Sequence, residues 1–406
     1  MANRVAVSGI GMITPLGLGK EVTWRRLLAG HSAFAPVETF DTSAYPVHLG
    51  AEVREFDPAS FLHVLEPSSI GRASQMAVAA ALLALADASL DSSQLDPIRV
   101  GVAMGTTSGE PREVERFNDY AAADGMGVEE PALATRYPCH TIGASVAAEL
   151  GIEGASTTLP NACAAGSYAI GWASDEIAAG RADVVLAGGS DAFSRITYAG
   201  FARLGAIAAD TCRPFDRRRS GMIPGEGAAV LVLESLDHAL RRGAELHAEI
   251  VGFGLTCDAH HMTAAHPEGD GAVRAMSAAL EDAGLKPDDV DYISAHGTGT
   301  PTNDRVESLA VLRVFGERGA RVPMSSVKSM LGHTMGAASA IETGVCCLAI
   351  SSGRIPPTAH FEEADPLCPI DCVPNEAREV AVDVAMNNAY AFGGTNASLL
   401  LRRCHP

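Results

Sequence analysis

A cysteine stands where a short Thr-rich run turns through proline into a helix, in Leu159-Pro160-Asn161-Ala162-Cys163-Ala164-Ala165-Gly166. The first turn of a helix presents unpaired backbone N–H groups and the positive end of its dipole. Both favour thiolate over thiol, so Cys163 is expected to have a lowered pKa and to serve as a nucleophile. The same N–H groups could hold a developing oxyanion. A buried structural cysteine is the alternative at this point, since free cysteines are commonly core residues.

Three further motifs carry groups of the right type. Ser294-Ala295-His296-Gly297-Thr298-Gly299-Thr300-Pro301 puts a histidine at the end of a predicted strand, where α/β sheets place functional groups. Asp304 and Glu307 follow it and could simply complement the dipole of the next helix. Ser325-Ser326-Val327-Lys328-Ser329-Met330-Leu331-Gly332-His333-Thr334 carries a lysine and a histidine on a turn leading into a helix. Asn387-Asn388-Ala389-Tyr390-Ala391-Phe392-Gly393-Gly394-Thr395-Asn396 is a Gly-rich turn after a strand, either a plain turn or a source of backbone N–H groups beside hinged aromatics.

The elements that must position these groups alternate along the chain. Strands are predicted at 4–9, 98–104, 183–187, 228–233, 249–254 and 292–295. Helices are predicted at 74–88, 164–179, 271–283, 305–315 and 336–351. Such alternation specifies an α/β protein with mainly buried sheets. The chain also repeats itself. Leu85-Ala86-Asp87-Ala88 echoes Leu280-Glu281-Asp282-Ala283, and Cys163-Ala164-Ala165 echoes Gly336-Ala337-Ala338 at a different offset. Ordered echoes of this kind point to two related halves with unequal insertions, 1–250 and 251–406, with the pattern of Val5 to Gly11 restarting at Glu249 to Gly254. Pseudo-twofold symmetry would bring Cys163, His296, Lys328 and His333 to one central site. Residues 109–140 read as a long excursion suited to an interface.

Composition excludes several classes. The chain of 406 residues is 47% hydrophobic and carries a net charge of −19, which fits a large buried core and argues against non-specific nucleic-acid binding. No apolar run reaches membrane-spanning length, and no basic-then-apolar leader opens the chain. Nine cysteines spread over this length fit reduced thiols in the cytoplasm. Gly9-Ile10-Gly11 has Thr14 where a dinucleotide fingerprint needs glycine, and Cys368, Cys372 and His360 have the wrong spacing for zinc, so no metal is expected. Of the 30 basic residues only Lys20, Lys286 and Lys328 are lysines, which singles out Lys328 within its motif.

In order along the chain, these motifs resemble the β-ketoacyl synthases, the condensing enzymes of fatty-acid and polyketide assembly. The resemblance runs nearly end to end. It takes in the opening Val-Ser-Gly-Ile-Gly-Met-Ile-Thr-Pro-Leu-Gly, Ala187-Gly188-Gly189, Arg213-Pro214-Phe215-Asp216, Gly225-Glu226-Gly227-Ala228 and the four motifs above. It implies a thiolase-like αβαβα fold of five layers and two pseudo-symmetric halves. It also implies Cys163 as nucleophile, His296 and His333 as hydrogen-bond donors to a malonyl thioester, and Lys328 as the residue ordering them. The N–H groups of Cys163 and Phe392 would form the oxyanion hole, while Tyr390, Phe392, Ser108 and Phe201 would shape the gate and acyl pocket. No cofactor is implied beyond the phosphopantetheine of an acyl carrier protein. That carrier is the implied partner, with a homodimer or a heterodimer with a second ketosynthase-like chain.

The sequence departs from the family in places. Asn161 stands where threonine is common, and Tyr390-Ala391-Phe392 replaces the more usual Phe-Gly-Phe, with Ala391 expected to stiffen the gate. Ser108 stands where a larger apolar residue is frequent. Residues 56–72 carry only Arg72 and His63 as basic groups, so Arg213, Arg217, Arg218 and Arg219 are the expected substitute for docking an acidic carrier. A degradative thiolase would need a second cysteine in the C-terminal Gly-rich loop. A non-catalytic, chain-length-determining subunit of a ketosynthase heterodimer, the alternative reading, usually lacks the cysteine that Cys163 supplies.

Overall fold

The computed structural model describes residues 3–124 and 132–405, so part of the predicted excursion, 125–131, lies outside the described residues. Five strands carry the first half: β1 (Val5–Thr14), β2 (Val100–Gly105), β3 (Ser156–Leu159), β4 (Val184–Asp191) and β5 (Gly227–Ser235). Five carry the second: β6 (Ala248–Cys257), β7 (Tyr292–Ser294), β8 (Met324–Ser325), β9 (Val384–Tyr390) and β10 (Thr395–Arg402). Helices α1 (Arg72–Asp87), α2 (Thr141–Leu150) and α3 (Ala165–Ala178) fall between strands of the first set. Helices α4 (Asp270–Ala283), α5 (Pro301–Phe315) and α6 (Ala338–Ser352) fall between those of the second.

Both sets are laid out identically. In each, the strands lie side by side as first, fifth, fourth, second, third. The first two neighbour pairs are antiparallel and the last two parallel in both. The sets join edge to edge, with Val5 opposite Ile250 and Val7 opposite Ala248. Because β6 opens at Ala248, it straddles residue 250.

Helices α3 and α6 pack on each other between the two sheets, while α1 and α2 cover one outer face and α4 and α5 the other. These are the five layers of a thiolase-like αβαβα fold, and three apolar clusters fill the spaces between them. The helical segment Met335–Ser352 is apolar enough and long enough to span a bilayer. All of it but Ser351 and Ser352 is buried between the sheets, which is why it carries no polar face.

Glycines set the spacing of the outer layers. A Cβ on Gly11 would meet the Ala80 carbonyl oxygen at 1.9 Å, and one on Gly254 would meet that of Ala275 at 2.1 Å. In both halves the first strand therefore lies against its helix backbone, which also explains why β1 runs on past the predicted end at residue 9.

Candidate active site

Two short turns face one another at the centre. Cys163 lies on the 3-10 turn Ala162–Ala164 that enters α3, and His333 precedes the 3-10 turn Met335–Ala337 that enters α6. The first residue of each turn has left-handed backbone without being glycine, Ala162 at φ 49° and Met335 at φ 54°. The strained conformation thus recurs at equivalent places, where it aims one turn at the other across the layer shared by the halves.

The groups singled out from the sequence meet here. His333 Nε2 lies 3.0 Å from Cys163 Sγ. The Met335 backbone N–H donates to His333 Nδ1 at 3.2 Å, so the proton of a neutral ring sits on Nε2 and points at the sulfur. The His296 ring stands 5.6 Å from that of His333, nearly perpendicular to it. Lys328 Nζ, which can only donate, lies 3.5 Å from His296 Nδ1 and thereby selects the same Nε2–H tautomer. Burial, followed by the charge of Lys328, holds both histidines well below their ordinary pKa and keeps them neutral.

Burial also decides the state of the cysteine, against expectation. It pushes the Cys163 thiol up to about 12, with Lys328 opposing, so desolvation outweighs the helix N-terminus and the lowered pKa read from the sequence is not found.

Buried carboxylates that sequence reasoning missed or undervalued hold this arrangement. Glu342, on α6, forms a buried salt bridge with Lys328. Its signal was a single charge in an otherwise apolar helix. Glu307 accepts the backbone N–H groups of His296 and Gly297, both at 2.8 Å. Asp304 accepts those of Phe215 at 2.7 Å and Gly299 at 3.2 Å. The two therefore brace the histidine loop and do more than complement a dipole. Asp191, at the end of β4, accepts the N–H groups of Thr107 at 2.7 Å, Ser108 at 3.1 Å and Gly336 at 2.6 Å, tying the first half to the second-half turn.

A cavity of about 180 Å³ opens onto Cys163, His296 and His333, with Phe201, Tyr390 and Phe392 in its wall. The Phe392 ring is 40% exposed and lies 5.7 Å from Phe201. Ala391 is extended, with φ −133°, so alanine fits this state of the loop without strain, and Gly393 at φ 85° makes the turn. Ser108 does not line this cavity. Its amide is spent on Asp191, and its hydroxyl lies 3.5 Å from Thr197.

Family models for the N-terminal and C-terminal domains of β-ketoacyl synthase match residues 2–239 and 247–362. This chain belongs to the β-ketoacyl synthase family. It is 39% identical to 3-oxoacyl-[acyl-carrier-protein] synthase 2 of Coxiella burnetii (strain RSA 493 / Nine Mile phase I), over 98% of each chain. It is 41% identical to the tetracenomycin polyketide synthase ketoacyl synthase alpha subunit of Streptomyces glaucescens, over 98% of this chain and 97% of that one. Among solved structures, the ishigamide ketosynthase/chain length factor superposes over the whole of both chains with a TM-score of 0.97 and 43% identity.

In this β-ketoacyl synthase the arginines at 213–219, expected from the sequence to dock a carrier, are each met by a carboxylate. Arg213 pairs with Asp210 and Glu362, Arg217 with Glu363, and Arg218 with Glu362. Arg219 is 8% exposed and forms an ion pair with Asp365. Arg219 is thus largely withdrawn from the surface, whereas Arg217 and Arg218 stay exposed while pairing with Glu363 and Glu362. Arg72 is likewise committed, to Glu226 and the Val53 carbonyl.

Proposed function

We propose that this chain catalyses decarboxylative Claisen condensation. An acyl chain carried on Cys163 is joined to malonyl-carrier protein to give a β-ketoacyl thioester. The observation that carries the reading is the convergence of Cys163 Sγ and two neutral, Nε2-protonated histidines on one cavity.

In the first step the Cys163 thiol gives up its proton toward the departing carrier sulfur as its own sulfur attacks the acyl-carrier thioester, and His333 Nε2–H hydrogen-bonds the Cys163 sulfur while it has thiolate character. The carrier thiol leaves with the proton. The tetrahedral oxyanion is held by the N–H groups of Cys163 and Phe392, whose turns pack together. In the second step a malonyl thioester enters, and the Nε2–H groups of His296 and His333 donate to its carbonyl oxygen. That oxygen carries the enolate charge as CO2 departs. The carbanion forms the new C–C bond at the acyl-Cys163 carbonyl and expels the sulfur. Lys328, held by Glu342, orders His296 and moves no proton. The substrates ride on the phosphopantetheine of an acyl carrier protein, and the mechanism calls on no metal.

The division of labour belongs to the same proposal. Residues 1–250 supply the nucleophile, and residues 251–406 supply His296, Lys328, His333 and the gate loop of Tyr390 and Phe392. The recurrence of one strand order in each part supports it. We assign the pathway to specialised polyketide or polyene assembly in preference to fatty-acid elongation, with a second ketosynthase-like chain as the pairing subunit. This draws on the likeness to the ishigamide ketosynthase/chain length factor and on the departure at Tyr390. The intact Cys163 site favours the catalytic subunit over a chain-length-determining one.

The test is incubation of the purified chain, alone and with its genome-neighbour subunits, with acyl- and malonyl-carriers. Mass spectrometry then reads acyl-Cys163 and product length. Acylation that disappears in Cys163→Ala is expected, and failure of the unaltered chain to acylate under every condition rules the assignment out.

A further inference from the structure

The departure at Tyr390 has no explanation in the fold. Its side chain is 7% exposed, and its hydroxyl is sealed from solvent with no hydrogen-bond partner. Leaving such a group unpaired is destabilising, and phenylalanine would pack the same ring without that cost. Neither nearby carboxylate takes the hydroxyl. Glu307 is occupied by the N–H groups of His296 and Gly297, and Asp258 by the His266 N–H and the Asn396 amide. Burial, followed by those two carboxylates, keeps the phenol protonated, so it can offer a hydrogen bond.

Position identifies what it is offered to. Tyr390 lines the cavity that holds Cys163, and its ring stands 5.8 Å from that of His296. It is therefore beside the reacting end of a bound thioester. It also adjoins the turn of Phe392 and Gly393, where the Gly393 N–H donates to the Met262 carbonyl at 2.7 Å. On the proposed mechanism the two histidine N–H groups are taken by the thioester carbonyl oxygen. The polar group left at that end of an extender unit is its free carboxylate, which only accepts hydrogen bonds.

We propose that Tyr390 is a specificity-determining residue whose hydroxyl donates to the α-carboxylate of the extender thioester as the gate admits it. The inference rests on the ketosynthase reading and sharpens it. The contact exists before CO2 leaves and is lost with it. It therefore selects a carboxylated extender over a second acyl thioester and adds nothing to the later transition state.

The test is an equilibrium binding cycle on the full chain with its pairing subunit. The ligands are malonyl- and acetyl-pantetheine analogues in which an amide replaces the thioester, so that neither reacts. In Tyr390→Phe the malonyl analogue should bind about tenfold more weakly, as expected for one hydrogen bond to a charged acceptor, with less than a twofold change for the acetyl analogue. A malonyl affinity that does not change, or that falls in step with the acetyl affinity, overturns the role of Tyr390 and leaves the ketosynthase reading standing. Binding of neither analogue to the unaltered complex overturns both.

Discussion

At the scale of single residues, the site is a set of polar groups held in a dry environment, and burial sets the state of Cys163, His296 and His333. Cys163, His296, Lys328 and His333 were legible in the sequence because their motifs pair reactive side chains with turns. The carboxylates that support them were less so, since Asp191 resembles any other acidic residue until its partners are known and Glu342 shows only as a lone charge in an apolar helix. Burial also fixes a pH response. The two histidines take up protons near pH 6.5 in the unfolded chain but resist them in the fold. Acid therefore favours the unfolded state, and each histidine contributes a loss approaching about 1.4 kcal/mol per pH unit below that value. Buried Asp191 and Asp304, raised to about 6, and Glu307 and Glu342, raised to about 7, act in the opposite sense over the same range. The histidine share is isolated by comparison: in urea unfolding between about pH 5 and 7, His333→Asn should show a shallower acid loss than the unaltered chain. Equal slopes would mean that His333 is not held neutral by the fold.

At the scale of elements, close approach of strand and helix backbones builds the layers that carry both turns. Sequence periodicity located every strand and helix named in advance but ended β1 too early, because glycine in a strand reads locally as a break. Its reason is tertiary: Gly11 and Gly254 give room to helix carbonyls from α1 and α4. Gly11→Ala and Gly254→Ala should therefore each destabilise the protein by about 1–3 kcal/mol or more, whereas alanine at Gly151, whose Cβ would meet nothing within 4 Å, brings only the strain of its φ of 65°. Thermal unfolding of the three variants checks the ranking. Similar midpoints for all three would remove the close-approach account. The repeat was visible in the sequence only as a few short echoes, because the halves preserve geometry more faithfully than residues. The matching φ values of Ala162 and Met335 illustrate this, since no side-chain identity links them.

At the scale of the whole molecule, charge becomes a property of the assembly. With a net charge of −19 and the arginines at 213–219 engaged with Glu362, Glu363 and Asp365, the chain offers an acidic carrier no concentrated basic face in that loop. Long-range repulsion should then oppose encounter, and salt should relieve it. The expected outcome is a carrier KM that falls or stays level as ionic strength rises from about 0.05 to 0.3 M, a range over which the Debye length shrinks from about 14 to about 6 Å. A KM that climbs steeply with salt would instead reveal an attractive basic patch, on this chain or on its pairing subunit.

The sequence by itself determined the alternating α/β architecture, the duplicated plan, the family resemblance and the four residues that the fold brings together. Each of these is written in local order, as a period, a turn signal or a motif. Only the tertiary structure decided which charges are buried and what each faces. It raised the Cys163 thiol, fixed both histidine tautomers through Met335 and Lys328, withdrew Arg219 from the surface and left the Tyr390 hydroxyl without a partner. The physical reason is common to all four. Desolvation and hydrogen bonding depend on neighbours brought together from distant parts of the chain, and local sequence carries no measure of them.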